Sequence, residues 1–461
     1  MVVVVSSQKS TAAHESGKCS SRKLQQLASR YFENPSKWAS SNVNMVIGFA
    51  ILLCVSLLLV VFSQDSTSTG FAFLAWTRQL VAGDREQQLE HSIRSAARPN
   101  TFLTLEDSDA WYCAEYRRVQ AAGSSQGRSF ADWLQANASD EEVMCAAHRT
   151  AMQPLAPGTP RVAFLFMVRG PIPFEPLWAK FLKGNEERYS IYVHAANSNH
   201  SYHNNSIFYQ RQIPSKPLGR LAASMPEAQR RLLAYALLDN TVPNAWFSLV
   251  CEAAIPIRSF GFVYSYLMKS ELSFVEAFFA WEWWRQGWTT ENPQLRDDLM
   301  RKGEAWFSVH RRHAGLIAGD FFVFPKFKEH WRLGGISAEI YLPTLLNIID
   351  PLGIANRSTT YVNWTDPETG SHPIMYSRAN LTTNLFLTIQ NQTRNTDGMY
   401  AQTSRYLGWE NEESCVYNGV ANSSCWLFAR KFSGTPADVD SLLANFTTTL
   451  IGSSPSSETA G

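Results

Sequence analysis

The sequence predicts an α/β domain with a doubly wound sheet and helices on both of its faces. Three observations carry that prediction. The run VAFLFMV at residues 162–168 is continuously apolar and bounded by charge, as a strand buried on both faces of a parallel sheet must be. Phe174, Leu177, Trp178, Phe181 and Leu182 then fall at i, i+3, i+4, i+7 and i+8, one face of a helix. The run YSIYV at 189–193 supplies a second strand, followed by His194. A right-handed crossover makes the two strands parallel.

The elements follow in order. Arg169 and Gly170 close the first strand, and Pro171 and Pro173 stop its continuation. Gly184 fits the end of the first helix. Ser224-Met-Pro-Glu227 has the pattern of a capping box with proline in the first turn, opening a helix that carries Leu232, Leu233, Ala236 and Leu237. WFSLV at 246–250 is the third strand, closed by Cys251 and Glu252, and Pro256 turns the chain toward a helix over 260–268. Strands and helices thus alternate. In such sheets ligands bind at the carboxyl ends of the strands. Arg169 and His194 sit at two of those ends and Glu252 at a third.

Ahead of this domain the 461 residues divide by composition. Residues 1–42 form a polar tail. Residues 43–62 are apolar without an ionisable side chain, long enough to span a bilayer. Lys9, Lys18, Arg22, Lys23, Arg30 and Lys37 precede them, against Glu15 and Glu33, so the positive-inside rule keeps the N-terminus cytosolic. Residues 63–158 resemble a lumenal stem ending in a proline-rich linker. The main folded domain is expected over 159–445 and a small, polar, disordered tail over 446–461. The N-x-S/T sequons at Asn137, Asn199, Asn204, Asn356, Asn363, Asn380, Asn391, Asn422 and Asn445 all follow the apolar span, which agrees with lumenal exposure.

With 41 basic and 40 acidic residues the formal charge is +1, and no long basic run marks a nucleic-acid surface. Of the 7 cysteines, Cys19 is cytosolic and Cys54 intramembrane in this topology. Cys113, Cys145, Cys251, Cys415 and Cys425 remain, an odd number that cannot all pair within the chain. Cys415–Cys425 and Cys113–Cys145 are the economical pairs. Cys251, inside an apolar run, is the expected buried thiol.

The stretch 162–195 resembles the Core-2/I-branching N-acetylglucosaminyltransferase family, particularly its plant-type branch. Further segments similar to that family follow in the same order: SMPEAQRRLLAYALLD (224–239), WFSLVCEAAIPIRSFGFVYSYL (246–267), SFVEAF (273–278), KGEAWFSVHRRHAGLI (302–317), AEIYLPTLLNI (338–348), TYVNWTD (360–366), CVYNG (415–419) and LFARKF (427–432). The resemblance covers about 161–435. It implies a GT-A-like, Rossmann-type mixed sheet behind the transmembrane helix and stem. It also implies a type II Golgi membrane enzyme that takes a UDP-sugar as donor, a glycan or glycoprotein as acceptor, and no metal cofactor. The residues agree on the metal. Asp107-x-Asp109 lies in the stem and Asp438-x-Asp440 beyond the last matching segment, so no Asp-x-Asp follows a strand inside the domain.

The resemblance also distributes roles. Glu339 matches the family's catalytic glutamate, although its neighbours here are Ala338 and Ile340 rather than the usual acidic ones; an ordinary helix-start glutamate is the competing reading. Lys431 matches the lysine that contacts the UDP diphosphate, with Arg430 beside it as a second cation, against a solvated pair ending a strand. The arginine that animal members place before the CVYNG segment is replaced by Glu410-Asn-Glu-Glu413, leaving Arg405 as the nearest substitute. Arg169 and His194 fall near the expected uridine and ribose, with a structural histidine the alternative for His194. Glu252 is placed to hold an acceptor hydroxyl, or else to pair with Arg258. Trp284, within the unusual run FFAWEWWRQGW (278–288), offers a face for sugar stacking, or packs its loop onto the domain. Trp306-Phe307 with Arg311 match a family motif that frames the acceptor side. Two functions from different classes follow: inverting transfer of GlcNAc or a related sugar such as glucuronic acid, or a membrane-anchored carbohydrate-binding or scaffold protein without activity.

Overall fold

The apolar run at 162–168 becomes the centre of the molecule. In the computed structural model, which describes residues 129–135, 138–219, 223–279, 299–330, 337–365, 372–399 and 414–452, strand β1 spans Arg161–Val168 and only Arg161 is not fully buried. β2 (Tyr189–Ala195) and β3 (Asn244–Val250) lie on either side of it, both parallel, with Val162 opposite Tyr189 on one side and Trp246 on the other. After a two-residue strand β4 (Ile255–Pro256), strand β5 (Ser308–His310) adds antiparallel to β3. The order is β2-β1-β3-β5, a mixed sheet. A smaller sheet, β4-β7-β6, joins β4 to β6 (Thr360–Val362) and β7 (Phe428–Arg430).

Alternation along β1 decides which helix covers which face. The described helices begin with α1 (Phe130–Gln135), α2 (Asp140–Met152) and α3 (Glu175–Leu182). Phe164 and Phe166 meet Trp178 of α3 at ring-centroid distances of 5.7 and 5.0 Å, and Trp178 stacks on Phe428 of β7. The other face is covered by α4 (Ser224–Leu238), which packs on β1, β2 and β3. α5 (Phe260–Met268) follows β4 with the bounds read from the sequence, capped by the Ser259 hydroxyl. α6 (Arg311–Ala318) and α2 flank α4. The chain continues through α7 (Val323–His330), a 3-10 turn at Ser337–Glu339, α8 (Tyr341–Ile349), α9 (Thr383–Asn391) and α10 (Pro436–Ile451).

Three expectations change in detail. Ser224 does not cap α4. The N-cap is Ala223, and the Ser224 hydroxyl instead bonds the N–H and carbonyl of Gly219. The end of the expected stem is part of the domain. α2 starts from a Ser139–Glu142 capping box, buries Val143, Met144, Ala147 and Ala151, and anchors through Asp140 to the buried Arg231 of α4. Those opposite charges hold the Asp140 carboxyl well below the usual range despite its burial. Close packing needs Gly315 of α6, where a Cβ would stand 2.5 Å from that of Ala151. Finally, α10 runs past 445 to Ile451, because Phe446 and Leu450 still have a core to enter.

Cys415 and Cys425 form the expected disulfide, with Cα atoms 5.4 Å apart. Cys251 is a buried free thiol whose pKa burial pushes up. Cys145 is buried in α2, while Cys113 lies outside the described residues. So does the apolar span 43–62. Among the described residues no helix is long and apolar enough to cross a membrane.

Candidate active site

The chain leaves β1 for α3 on one face and reaches β3 through α4 on the other. The carboxyl ends of β1 and β3 therefore form a switch point, where open α/β sheets bind ligands. A cavity of about 410 Å³ opens there. Arg169 borders it from the end of β1, and Cys251 and Glu252 from the end of β3. Glu304, Trp306, Glu339, Trp364, His372, Arg430 and Lys431 add polar and aromatic groups to its wall.

Glu339 closes the 3-10 turn and is held from two directions. Its Oε2 lies 3.0 Å from Lys302 Nζ, and both side chains are 11% exposed. Its carbonyl accepts the Gly303 N–H at 2.8 Å. Lys302 is fixed in turn by a two-way backbone bridge to Phe278. Between these partners Gly303 passes so close to the neighbouring segment that a Cβ would stand 1.9 Å from the Glu276 carbonyl oxygen. Gly303→Ala is expected to push Lys302 and Glu339 apart and to destabilise the fold by about 1–3 kcal/mol, the usual cost of overpacking. Thermal unfolding of the variant checks this.

Beside Glu339 stands Glu304, which the sequence reading passed over. Its N–H donates to Glu276 Oε2 at 2.9 Å and its Oε1 accepts the indole N–H of Trp364 at 2.5 Å. Burial, reinforced by the negative charge of Glu339 and opposed by Arg430 and Lys302, pushes its carboxyl up to about 7.

The cations gather on the other wall. Arg430 ends β7 with its guanidinium carbon 4.4 Å from the Trp306 ring centroid, and among the described residues its buried Nε has no hydrogen-bond partner. Half-buried Lys431 follows. Arg169, with a side chain 87% exposed, stands 3.4 Å from Glu252. Glu252 thus pairs with Arg169 and not with Arg258, which turns to the carbonyls of Gln390 and Trp426. An exposed pair of this kind contributes only about 0–1 kcal/mol, so a ligand can part it.

The structure brings Arg169, Glu252, Glu339, Arg430 and Lys431 to one cavity and leaves His194 outside it. His194 is fully buried in β2, where its Nε2 accepts the Lys216 N–H at 3.2 Å. Burial and the nearby Arg231 charge push its pKa down to about 4, so the ring is neutral. Ala196, two residues further along the chain, borders the cavity in its place. Trp284, Arg405 and the Glu410–Glu413 stretch lie outside the described residues. Asp438 is engaged at the start of α10 by the Thr435 hydroxyl and the Arg378 N–H. Trp306 joins the wall while Arg311 turns away to the carbonyls of Asn244 and Thr150. Two residues read only as part of longer segments, Lys302 and Trp364, hold Glu339 and Glu304.

Cations at strand ends, buried carboxylates and indole faces thus line one cavity at the switch point of an α/β domain. Comparison with known proteins supplies the family. The profile of the Core-2/I-Branching enzyme family matches residues 162–390. Glycosyltransferase BC10 of Oryza sativa subsp. japonica is 31% identical over 316 residues, which cover 61% of this chain and 75% of that protein. The chain belongs to the Core-2/I-branching enzyme family, a family of glycosyltransferases.

Proposed function

We propose that this protein is an inverting glycosyltransferase that moves GlcNAc, or a related sugar, from a UDP-sugar onto a glycan hydroxyl in a β-1,6-branching type of reaction. The observation that carries the reading is the convergence of Glu339 and the Arg430–Lys431 pair on one cavity. Glu339 takes the proton of the acceptor hydroxyl as that oxygen attacks C1 of the donor sugar. The bond from C1 to the diphosphate breaks, and the charge arriving on UDP meets Lys431 and Arg430. Lys302 occupies Oε2 of Glu339 and keeps that carboxylate turned to the cavity. Glu252 serves the acceptor once Arg169 swings to the donor, and Trp284, outside the described residues, is the proposed stacking face.

The cellular setting belongs to the same proposal: a type II Golgi membrane protein anchored by residues 43–62, with the catalytic domain in the lumen. Charge asymmetry and sequon placement support it.

Side-chain cations take the part that a metal plays in other glycosyltransferases, so no metal cofactor is needed in this reading. The test is UDP release by the purified protein across a panel of UDP-sugars and glycan acceptors, with and without EDTA. Turnover with one donor, undiminished by the chelator, is expected. Loss of activity in EDTA with recovery on Mn²⁺ overturns the metal-free part. Glycan binding without UDP release from any donor leaves a carbohydrate-binding protein in place of an enzyme.

A further inference from the structure

Glu304 is a buried carboxyl at the cavity that the reaction above does not use. Oε1 is committed to the Trp364 indole, while Oε2 has no hydrogen-bond partner among the described residues. Charged groups act on it from several segments: Glu339 on the 3-10 turn, Glu276 through its bond to the Glu304 N–H, Arg430 on β7, and Lys302 two residues earlier in the chain, while His372, Lys431, Arg169 and Glu252 line the same cavity. Two ionised carboxylates in one poorly solvated wall repel, and the pair holds a proton more readily than either group alone. Glu339 has Lys302 to stabilise its charge, whereas Glu304 has an indole N–H. Burial and the neighbouring Glu339 charge therefore favour the neutral form of Glu304.

We propose that Glu304 is an acceptor-positioning residue: as a neutral carboxylic acid it fixes the Trp364 ring with one oxygen and offers its other O–H to a hydroxyl or ring oxygen of the acceptor sugar. The proposal rests on the placing of the acceptor beside Glu339. The substrate class it selects is a neutral acceptor, because an acidic sugar seated there would meet Glu339 and, once ionised, Glu304. The sign of the pH dependence follows. The folded-state pKa is raised to about 7, so the donor O–H is present below that value and is lost as pH rises through it. Above it a second negative charge also stands where the acceptor oxygen becomes anionic.

The test combines kinetics with a signal that needs no turnover. In protein labelled with 5-fluorotryptophan, the Trp364 resonance, assigned by its absence in Trp364→Phe, is expected to titrate with a midpoint near 7 and to stop titrating in Glu304→Gln. In wild type the acceptor KM is expected to rise roughly tenfold between about pH 6 and about pH 8, with a smaller change in kcat. Glu304→Gln keeps a hydrogen-bond acceptor for Trp364 and a donor for the sugar. Its acceptor KM is expected within roughly threefold of wild type at the lower pH and flat with pH, whereas Glu304→Ala loses roughly tenfold or more throughout. A Trp364 resonance that does not titrate, or an alkaline rise in KM that persists in Glu304→Gln, overturns the proposal. Full activity in Glu339→Gln removes the base and leaves the Trp364 titration standing, so the two assignments fail separately.

Discussion

Glu339→Gln is expected to lower turnover by about 10²–10⁴-fold, the scale of a lost general base, while UDP affinity changes little. The amide keeps the shape of the side chain and can still accept from Lys302 Nζ, 3.0 Å away in the native pair. It cannot take a proton at neutral pH. The cations proposed to face the donor, Arg430 at the end of β7 and Lys431 just after it, stand on a different segment and are untouched by the change. Retained UDP binding and a cooperative thermal transition separate a missing base from a damaged fold. An unchanged kcat removes Glu339 from the mechanism.

Lys431→Ala is expected to cost about 10²–10³-fold in rate, by analogy with loss of one preorganised group at a developing anion, and to weaken UDP binding as well. A cation at the diphosphate stabilises both the bound donor and the departing UDP, so KM for the donor and kcat move together. Lys431 is a cleaner choice than Arg430, whose guanidinium lies over Trp306 and whose loss also disturbs that wall. Lys431→Arg keeps the charge and is expected to recover most of the UDP affinity. Calorimetric titration with UDP checks the binding part directly. Equal UDP affinity in wild type and Lys431→Ala contradicts the assignment.

The sequence exposed the parts of this protein whose physics is local. A seven-position apolar run, a helical stripe, shorter apolar runs and the turn at Pro256 marked β1, α3, β2, β3 and α5, because burial on two faces and a 3.6-residue period leave few alternatives. The arrangement of the site is non-local. The Lys302–Glu339 pair joins residues 37 apart, and the Glu304–Trp364 bond joins residues 60 apart. Neither contact has a periodic signature, and Lys302 and Glu304 read as polar members of a segment that resembled a family. Strands of two and three residues, β4 and β7, carry no alternation, so the small sheet that presents Arg430 was not legible either. α2 was hidden by its setting. Its surroundings are polar and charged, and its burial depends on Arg231, 91 residues away from Asp140. Ser224 had the right pattern for a cap, but the first turn began one residue earlier and the hydroxyl found Gly219 instead. His194 stood at the predicted strand and still missed the cavity, because its side chain turns to the Lys216 N–H.

The central claim is a single displacement, with Glu339 as base and side-chain cations receiving UDP. The anomeric configuration of the linkage formed from an α-linked UDP-sugar tests it most directly. One displacement inverts the centre, whereas two successive displacements retain it. Proton NMR of the first product, taken before it accumulates, is expected to show the large coupling of a β-anomer, with the signal absent in Glu339→Gln. An α-linked product contradicts the account, because a base that only activates the acceptor cannot produce it.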